Sequence, residues 1–215
     1  MPLSKLSLIE TVRILGGRAP LWHLHLRRLV ASCKALGVPF PPEFEVPAGG
    51  ADRVHRIVVG PKGKQVSERE VGPVRPVRLI TCRVVHQPYL HKTMDRGQFA
   101  EAAAQAEAAG ADDGLMLTAE GVVAECAIWS IFWWEGETLC APALAVGVLP
   151  GVARMRIAEL VPVVERKTRR TGLDRVPLFV ANAARGIVHV ASLDGHAESP
   201  HNETAKLQQR FWSTP

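Results

Sequence analysis

Several features are scarce in this chain of 215 residues, and each scarcity excludes something. No apolar run approaches the roughly 18 residues of a membrane-spanning helix, so no span and no membrane partner are expected. The chain has no Gly-x-Gly-x-x-Gly stretch and no phosphate-loop lysine motif, which removes the commonest nucleotide-binding signatures. Ser130 and Ser192 lack the Gly-x-Ser-x-Gly setting of a nucleophile elbow. Of the four cysteines (Cys33, Cys82, Cys126 and Cys140), none forms a Cys-x-x-Cys pair. Each falls within an expected helix or strand, as for reduced core residues of a cytoplasmic protein. His23 and His25 stand two apart with no third ligand at a recognisable spacing, so no metal site is expected. Tyrosine occurs once, at Tyr89, with no role that the sequence assigns. The net charge of +5 is modest, and its densest stretch, Arg166-Lys167-Thr168-Arg169-Arg170, reads as a solvated turn. No nucleic-acid motif accompanies the scattered basic residues, so no nucleic-acid partner is expected. Met1 to Leu15 mixes Lys5, Glu10 and Arg13 among apolar residues and is a poor signal peptide.

What is present is an ordinary globular composition, 47% hydrophobic and 22% charged, with enough length for a sizeable core. Strands are expected at Leu8–Ile14, Val54–Val59, Gln65–Val71 and Val77–Val85. A helix over Leu24–Leu36 follows from the apolar spacing of Leu26, Leu29, Val30, Cys33 and Leu36, with Gly37 ending it. Residues 39–50 form a Pro/Gly-rich loop, and Pro73 and Pro76 mark a junction. An Ala-rich helix runs over Gln98–Ala109. Short strands follow at Gly114–Thr118, Val122–Cys126, Ile128–Trp134 and Thr138–Cys140. A helix begins after Pro150-Gly151 and ends near Leu160. Strands at Leu178–Ala181 and Ile187–Ser192 and a closing helix over Asn202–Trp212 complete the pattern. The fold class is α+β, in two lobes. A small α/β N-terminal domain spans residues 1–85, and a larger β-rich C-terminal domain spans residues 86–215.

Three segments carry chemistry. Lys92, in His91-Lys92-Thr93-Met94-Asp95-Arg96, stands between an apolar strand and a helix, where catalytic groups concentrate on rigid scaffolds. Partial desolvation there would lower its proton affinity and make it a better nucleophile. Glu125 lies between Ala124 and Cys126, in surroundings where a carboxylate is costly without a partner. Leu149-Pro150-Gly151-Val152-Ala153-Arg154 opens a helix whose first N–H groups lack intrahelical partners and suit an anion. Arg28, in His25-Leu26-Arg27-Arg28-Leu29, is a further candidate phosphate clamp. The aromatic run Trp129, Phe132, Trp133 and Trp134 suits a sheet packed on both faces, with one ring free to line a pocket.

Together these segments resemble the class IV aminotransferases, the pyridoxal-phosphate enzymes of fold type IV. The resemblance starts at Glu10-Thr11-Val12-Arg13, runs through His25–Leu29 with Ser32, and reaches Phe179-Val180-Ala181-Asn182-Ala183-Ala184-Arg185-Gly186. Within the family, the arginine four residues after Lys92 and the Asn182–Gly186 stretch look more like 4-amino-4-deoxychorismate lyases. The branched-chain and D-amino-acid transaminases are the alternative, as is a non-catalytic relative on the same fold. The resemblance implies pyridoxal 5′-phosphate bound through Lys92, which then serves as acid–base catalyst. It implies Glu125 at the pyridine nitrogen, and the phosphate held by Arg28, the Val152 and Ala153 N–H groups and the Asn182-Ala183 turn. It further implies a small-molecule amino substrate and a homodimer. For a lyase the outcome is loss of pyruvate to leave 4-aminobenzoate. The chain departs from the family with Ser130 where asparagine is common, Ala153 where threonine is common, and Ile9 where some transaminases place an aromatic ring.

Overall fold

Alternating apolar residues draw the first strand, β1 (Leu8–Ile14), into antiparallel pairing with β2 (Arg53–Gly60), from Leu8 opposite Val59 to Ile14 opposite Arg53. β2 turns back into β3 (Gly63–Arg69), completing a three-stranded sheet. The computed structural model describes residues 6–42, 44–45 and 47–213. The first five residues, part of the segment judged a poor signal peptide, lie outside the described residues. So do residues 43 and 46 of the expected Pro/Gly-rich loop.

One face of this sheet buries Leu8, Val12, Ile14, Ile57 and Val59 against Leu29 and Cys33 of helix α1 (Trp22–Leu36). The helix ends where Gly37, at φ 65°, adopts the left-handed turn that a side chain would strain, and its N–H bonds Cys33 O. The opposite face, with Ile9, Thr11 and Arg56, is left to cover something else.

The second sheet starts at β4 (Val77–Val85), which pairs in parallel with β5 (Asp113–Leu117) and β11 (Gly186–Leu193). β4 therefore belongs to the larger sheet, although it precedes residue 86. Between the sheets, chain membership changes over residues 70–76, at the proline-marked junction. The full order is β6-β5-β4-β11-β10-β7-β8-β9, adding β6 (Val123–Cys126), β7 (Ser130–Glu135), β8 (Thr138–Pro142), β9 (Val164–Arg166) and β10 (Leu178–Asn182). β12 (His196–Ala197) pairs with β11. The sheet curls until Val123 N donates to Thr168 O at 2.8 Å, so its first strand meets the chain just past its last.

Trp133, Leu178, Val180 and Val190 fill one side of the curl. On the other side Phe132 stacks on Phe179 at 5.0 Å, under α3 (Val152–Leu160) and α4 (Asn202–Phe211). Helix α2 (Gly97–Ala108) packs Phe99 and Ala102 against Cys82, Val84 and Tyr89. All four cysteines are buried and free. No helix among the described residues is long and apolar enough to cross a membrane.

The basic stretch at 166–170 is not a solvated turn throughout. Arg166 ends β9, and the Arg170 guanidinium is bound to Thr81 Oγ1, Asp194 and Asp174. Folding supplied carboxylates that local sequence did not show.

Candidate active site

Lys92 lies in the connection between β4 and α2, and its backbone is sewn to β1. Ile9 N donates to Lys92 O at 2.7 Å, and Met94 N to Ser7 O at 2.8 Å. Upstream, Tyr89 N bonds Gly147 O at 2.8 Å, while a Cβ on Gly147 would stand 2.9 Å from Pro88. The unassigned tyrosine thus has a structural place: its hydroxyl donates to Thr93 O at 2.7 Å, bracing the turn that carries Lys92. Desolvation, then the nearby Arg28 and Arg96 charges, pull the Lys92 amine from its usual range down to about 7.

A cavity of about 210 Å³ opens in front of this amine, between the small sheet and the curled one. Arg28, Lys92, Glu125, Val152, Ala153, Asn182 and Ala183 all line it, so the fold brings together every position expected to hold the cofactor. They come from α1, the β4–α2 connection, β6, the start of α3 and the β10–β11 turn.

Glu125 is buried, and both of its hydrogen bonds fall on Oε1: His86 Nε2 at 3.0 Å and Leu149 N at 3.1 Å. Oε2 accepts no bond among the described residues. His86 thus turns Nε2 to the carboxyl group, and its buried Nδ1 has no partner among the described residues. No motif pointed to His86; only the register of β4 against β5 and β6 brings it behind Glu125.

Arg28 lines the cavity but is also committed elsewhere. Its Nε donates to Glu10 Oε1 at 2.9 Å and its Nη2 to Glu10 Oε2 at 2.5 Å. His25 Nδ1 donates to the same carboxylate at 2.6 Å. Burial alone would raise the Glu10 pKa; the Arg28 charge and the His25 bond outweigh it and hold it at about 2. Burial also lowers the proton affinity of His25, consistent with a neutral ring donating from Nδ1. His25 thus serves Glu10, while His23 projects elsewhere, 3.5 Å from Glu159.

The start of α3 has no side-chain cap, although Val152 and Ala153 are buried. Their N–H groups face no i−4 carbonyl, the ordinary state of a helix start and the one that attracts anions. Ser130 stands beside it: a Cβ on Gly151 would lie 3.1 Å from Ser130 Oγ. Across the cavity Asn182 folds its own turn, with Oδ1 accepting from Ala184 N at 3.0 Å and Arg185 N at 2.8 Å. The Asn182 side chain is thereby spent on turn geometry.

The wall at residues 127–129 is pinned by Asp113. Its carboxylate accepts from the N–H groups of Gly114, Ala127 and Ile128, yet burial still raises its pKa to about 6. Arg96 ties the same wall to α2, with Nη2 donating to Ala127 O at 2.6 Å. Trp129 is the aromatic ring of its run that reaches the cavity; Phe132, Trp133 and Trp134 are core.

Comparison with known proteins bears on this arrangement. The amino-transferase class IV family model matches residues 63–193. An aminodeoxychorismate lyase of Bacillus subtilis is 43% identical over 47 residues, 22% of this chain and 16% of that protein. A Rickettsia felis protein, provisionally described as a branched-chain-amino-acid aminotransferase, is 33% identical over 96 residues, 42% of this chain and 33% of that protein. The match thus spans a third or less of these curated relatives. Among solved structures, a Legionella pneumophila protein provisionally described as a 4-amino-4-deoxychorismate lyase superposes with a TM-score of 0.83 at 22% identity, covering 96% of this chain and 91% of that one. A branched-chain aminotransferase from Thermoproteus uzoniensis superposes with a TM-score of 0.81 at 24% identity, covering 95% and 84%. At these identities the superpositions speak to the fold.

Proposed function

Because the chain belongs to the amino-transferase class IV family, whose members depend on pyridoxal phosphate, we propose that its cavity binds pyridoxal 5′-phosphate and acts on aminodeoxychorismate as a lyase, releasing pyruvate and leaving 4-aminobenzoate. The observation that carries the cofactor reading is the convergence, in one cavity, of a primary amine with a lowered pKa, a buried carboxylate with one unbonded oxygen and an uncapped buried helix start. Each suits one part of that cofactor: its aldehyde, its ring nitrogen and its phosphate.

When bound, pyridoxal phosphate supplies an electron sink for a bond broken at the substrate carbon that bears the amino group. The chain's own groups do the rest. Lys92 Nζ, with a pKa of about 7, is substantially unprotonated at neutral pH, so it serves as nucleophile toward an aldehyde and as base toward the proton on that carbon. Glu125, fixed by His86 and Leu149 N, is oriented to accept a hydrogen bond from a protonated ring nitrogen. Val152 and Ala153 offer backbone donors to phosphate, with Arg28 adding positive charge beside them. The overlapping walls from the two sheets restrict water around Lys92.

A second reading, transamination of a branched-chain amino acid, is supported by the longer Rickettsia match and shares Lys92 and Glu125.

The test is spectroscopic, then chemical. Protein loaded with pyridoxal phosphate is expected to show a visible absorbance band that borohydride fixes in place and Lys92→Ala abolishes. Incubation with aminodeoxychorismate then yields pyruvate. A full band without pyruvate removes the lyase, and conversion of the band by leucine or isoleucine would establish the transaminase instead.

A further inference from the structure

The cavity is lined by Arg28, Arg56, Arg69, Lys92, Arg96 and Arg185 against one carboxylate, Glu125. Such an excess of one sign in a partly desolvated cleft costs self-repulsion until an anion enters. Three of these six basic residues have occupations. Arg28 is held by Glu10, Lys92 is the amine, and Arg96 bonds Ala127 O while covering the Phe99 ring at 4.5 Å. Arg56 rests on Met94 Sδ at 3.4 Å, a weak acceptor.

Arg69 and Arg185 remain. Neither pairs with a carboxylate among the described residues; the Arg69 guanidinium reaches Glu70 O at 3.3 Å, and that of Arg185 lies over the Trp129 ring at 5.7 Å. They come from opposite walls. Arg69 ends β3 of the small sheet, and Arg185 follows the Asn182 turn of the large one. Desolvation and then the Arg69 charge depress the proton affinity of Arg185, and the buried Asp113 carboxylate opposes them. Gly72 passes close to the Arg185 guanidinium: a Cβ there would stand 3.2 Å from Nη2.

The position of Arg185, beside Trp129, separates it from the helix start. Arg185 and Trp129 also line a neighbouring hollow with Pro73, Val74 and Asp112, a hollow that Val152, Ala153 and Asn182 do not line. They therefore mark the end of the main cavity away from α3.

We propose that Arg69 and Arg185 form a second anion subsite, which selects substrates bearing two carboxylates on a flat carbon framework laid against Trp129. A guanidinium fork matches a carboxylate bidentately, and the indole face suits a ring. A branched aliphatic amino acid would leave both arginines unmatched. The inference rests on the cofactor reading above, since it names the substrate class of the same cavity.

The test uses the protein loaded with pyridoxal phosphate and two unreactive probes, isophthalate and benzoate, titrated by calorimetry. Isophthalate is expected to bind about tenfold tighter than benzoate, the size of one charged hydrogen-bonded contact. Arg69→Gln and Arg185→Gln are each expected to erase that preference while leaving benzoate affinity and the visible cofactor band as they were. Arg185→Lys, which keeps the charge but not the fork, is expected to retain part of it. Equal affinity for the two probes in the unmodified protein overturns the subsite, as does a preference that survives both glutamine variants. Absence of the visible band overturns the cofactor reading alone, because the probe preference is still measured by heat on the same sample.

Discussion

At the residue scale, the site depends on holding an ammonium-forming group where ammonium is disfavoured. Lys92 titrates near 10.5 when exposed and at about 7 in the fold. Between those values the unfolded chain binds the extra proton and the folded chain does not, so rising pH favours the fold across that window. Cofactor-free protein is therefore expected to gain resistance to urea as pH rises from 7 toward 10, and Lys92→Met to lose that part of the slope. Parallel urea midpoints for the two proteins at every pH would refute the burial of this amine. The Glu10 cluster instead favours the charged form, with its carboxylate held at about 2, so its contribution is lost only as pH falls below the ordinary carboxylate range. There the carboxylate is kept charged by Arg28 and by the neutral His25 ring, and it holds the inner end of α1 to β1 beside the cavity. The sequence marks Arg28 as a candidate phosphate clamp and says nothing of Glu10 as its partner. Its partner lies 18 positions away on another element, where no local pattern reveals it.

At the scale of elements, boundaries followed local signals closely and supports did not. β1, β4 and the start of α3 stand where alternation, prolines and the Pro150-Gly151 pair put them. Helix α4 shows what lies beyond that reach. Its polar sequence does little to hold it, and it is fastened from outside by Arg156 of α3. That guanidinium bonds the carbonyls of Phe211, Arg210 and Ser213 at the helix end, where carbonyls run short of intrahelical donors. Trp134 Nε1 adds a bond to Thr204 Oγ1 at 2.9 Å. Arg156→Ala is expected to cost about 2 to 3 kcal/mol. Hydrogen exchange at residues 208–211 should accelerate well before the amides of β10 and β11. Uniform acceleration across the molecule would show that α4 is not fastened separately.

At the scale of the whole molecule, two sheets of different size meet around a cavity whose lining is far more basic than the chain's net charge of +5 suggests. Convergent charge of this kind speeds the approach of anions, and salt screens it within about 10 Å at 0.1 M. The association rate of pyridoxal phosphate with the cofactor-free protein is therefore expected to fall steeply between low and moderate sodium chloride, as stopped-flow absorbance would record. A rate indifferent to salt would mean that the arginines are screened or turned away. The sequence by itself determined the α+β pattern, the order of elements and the identity of Lys92, Glu125 and the helix start, because periodicity, turn residues and short motifs are local. The tertiary structure alone decided that β4 joins the large sheet, that His86 backs Glu125, that Glu10 holds Arg28, and that Arg69 and Arg185 line one cavity. Those relations join residues from 18 to 116 positions apart, which only the folded chain brings together.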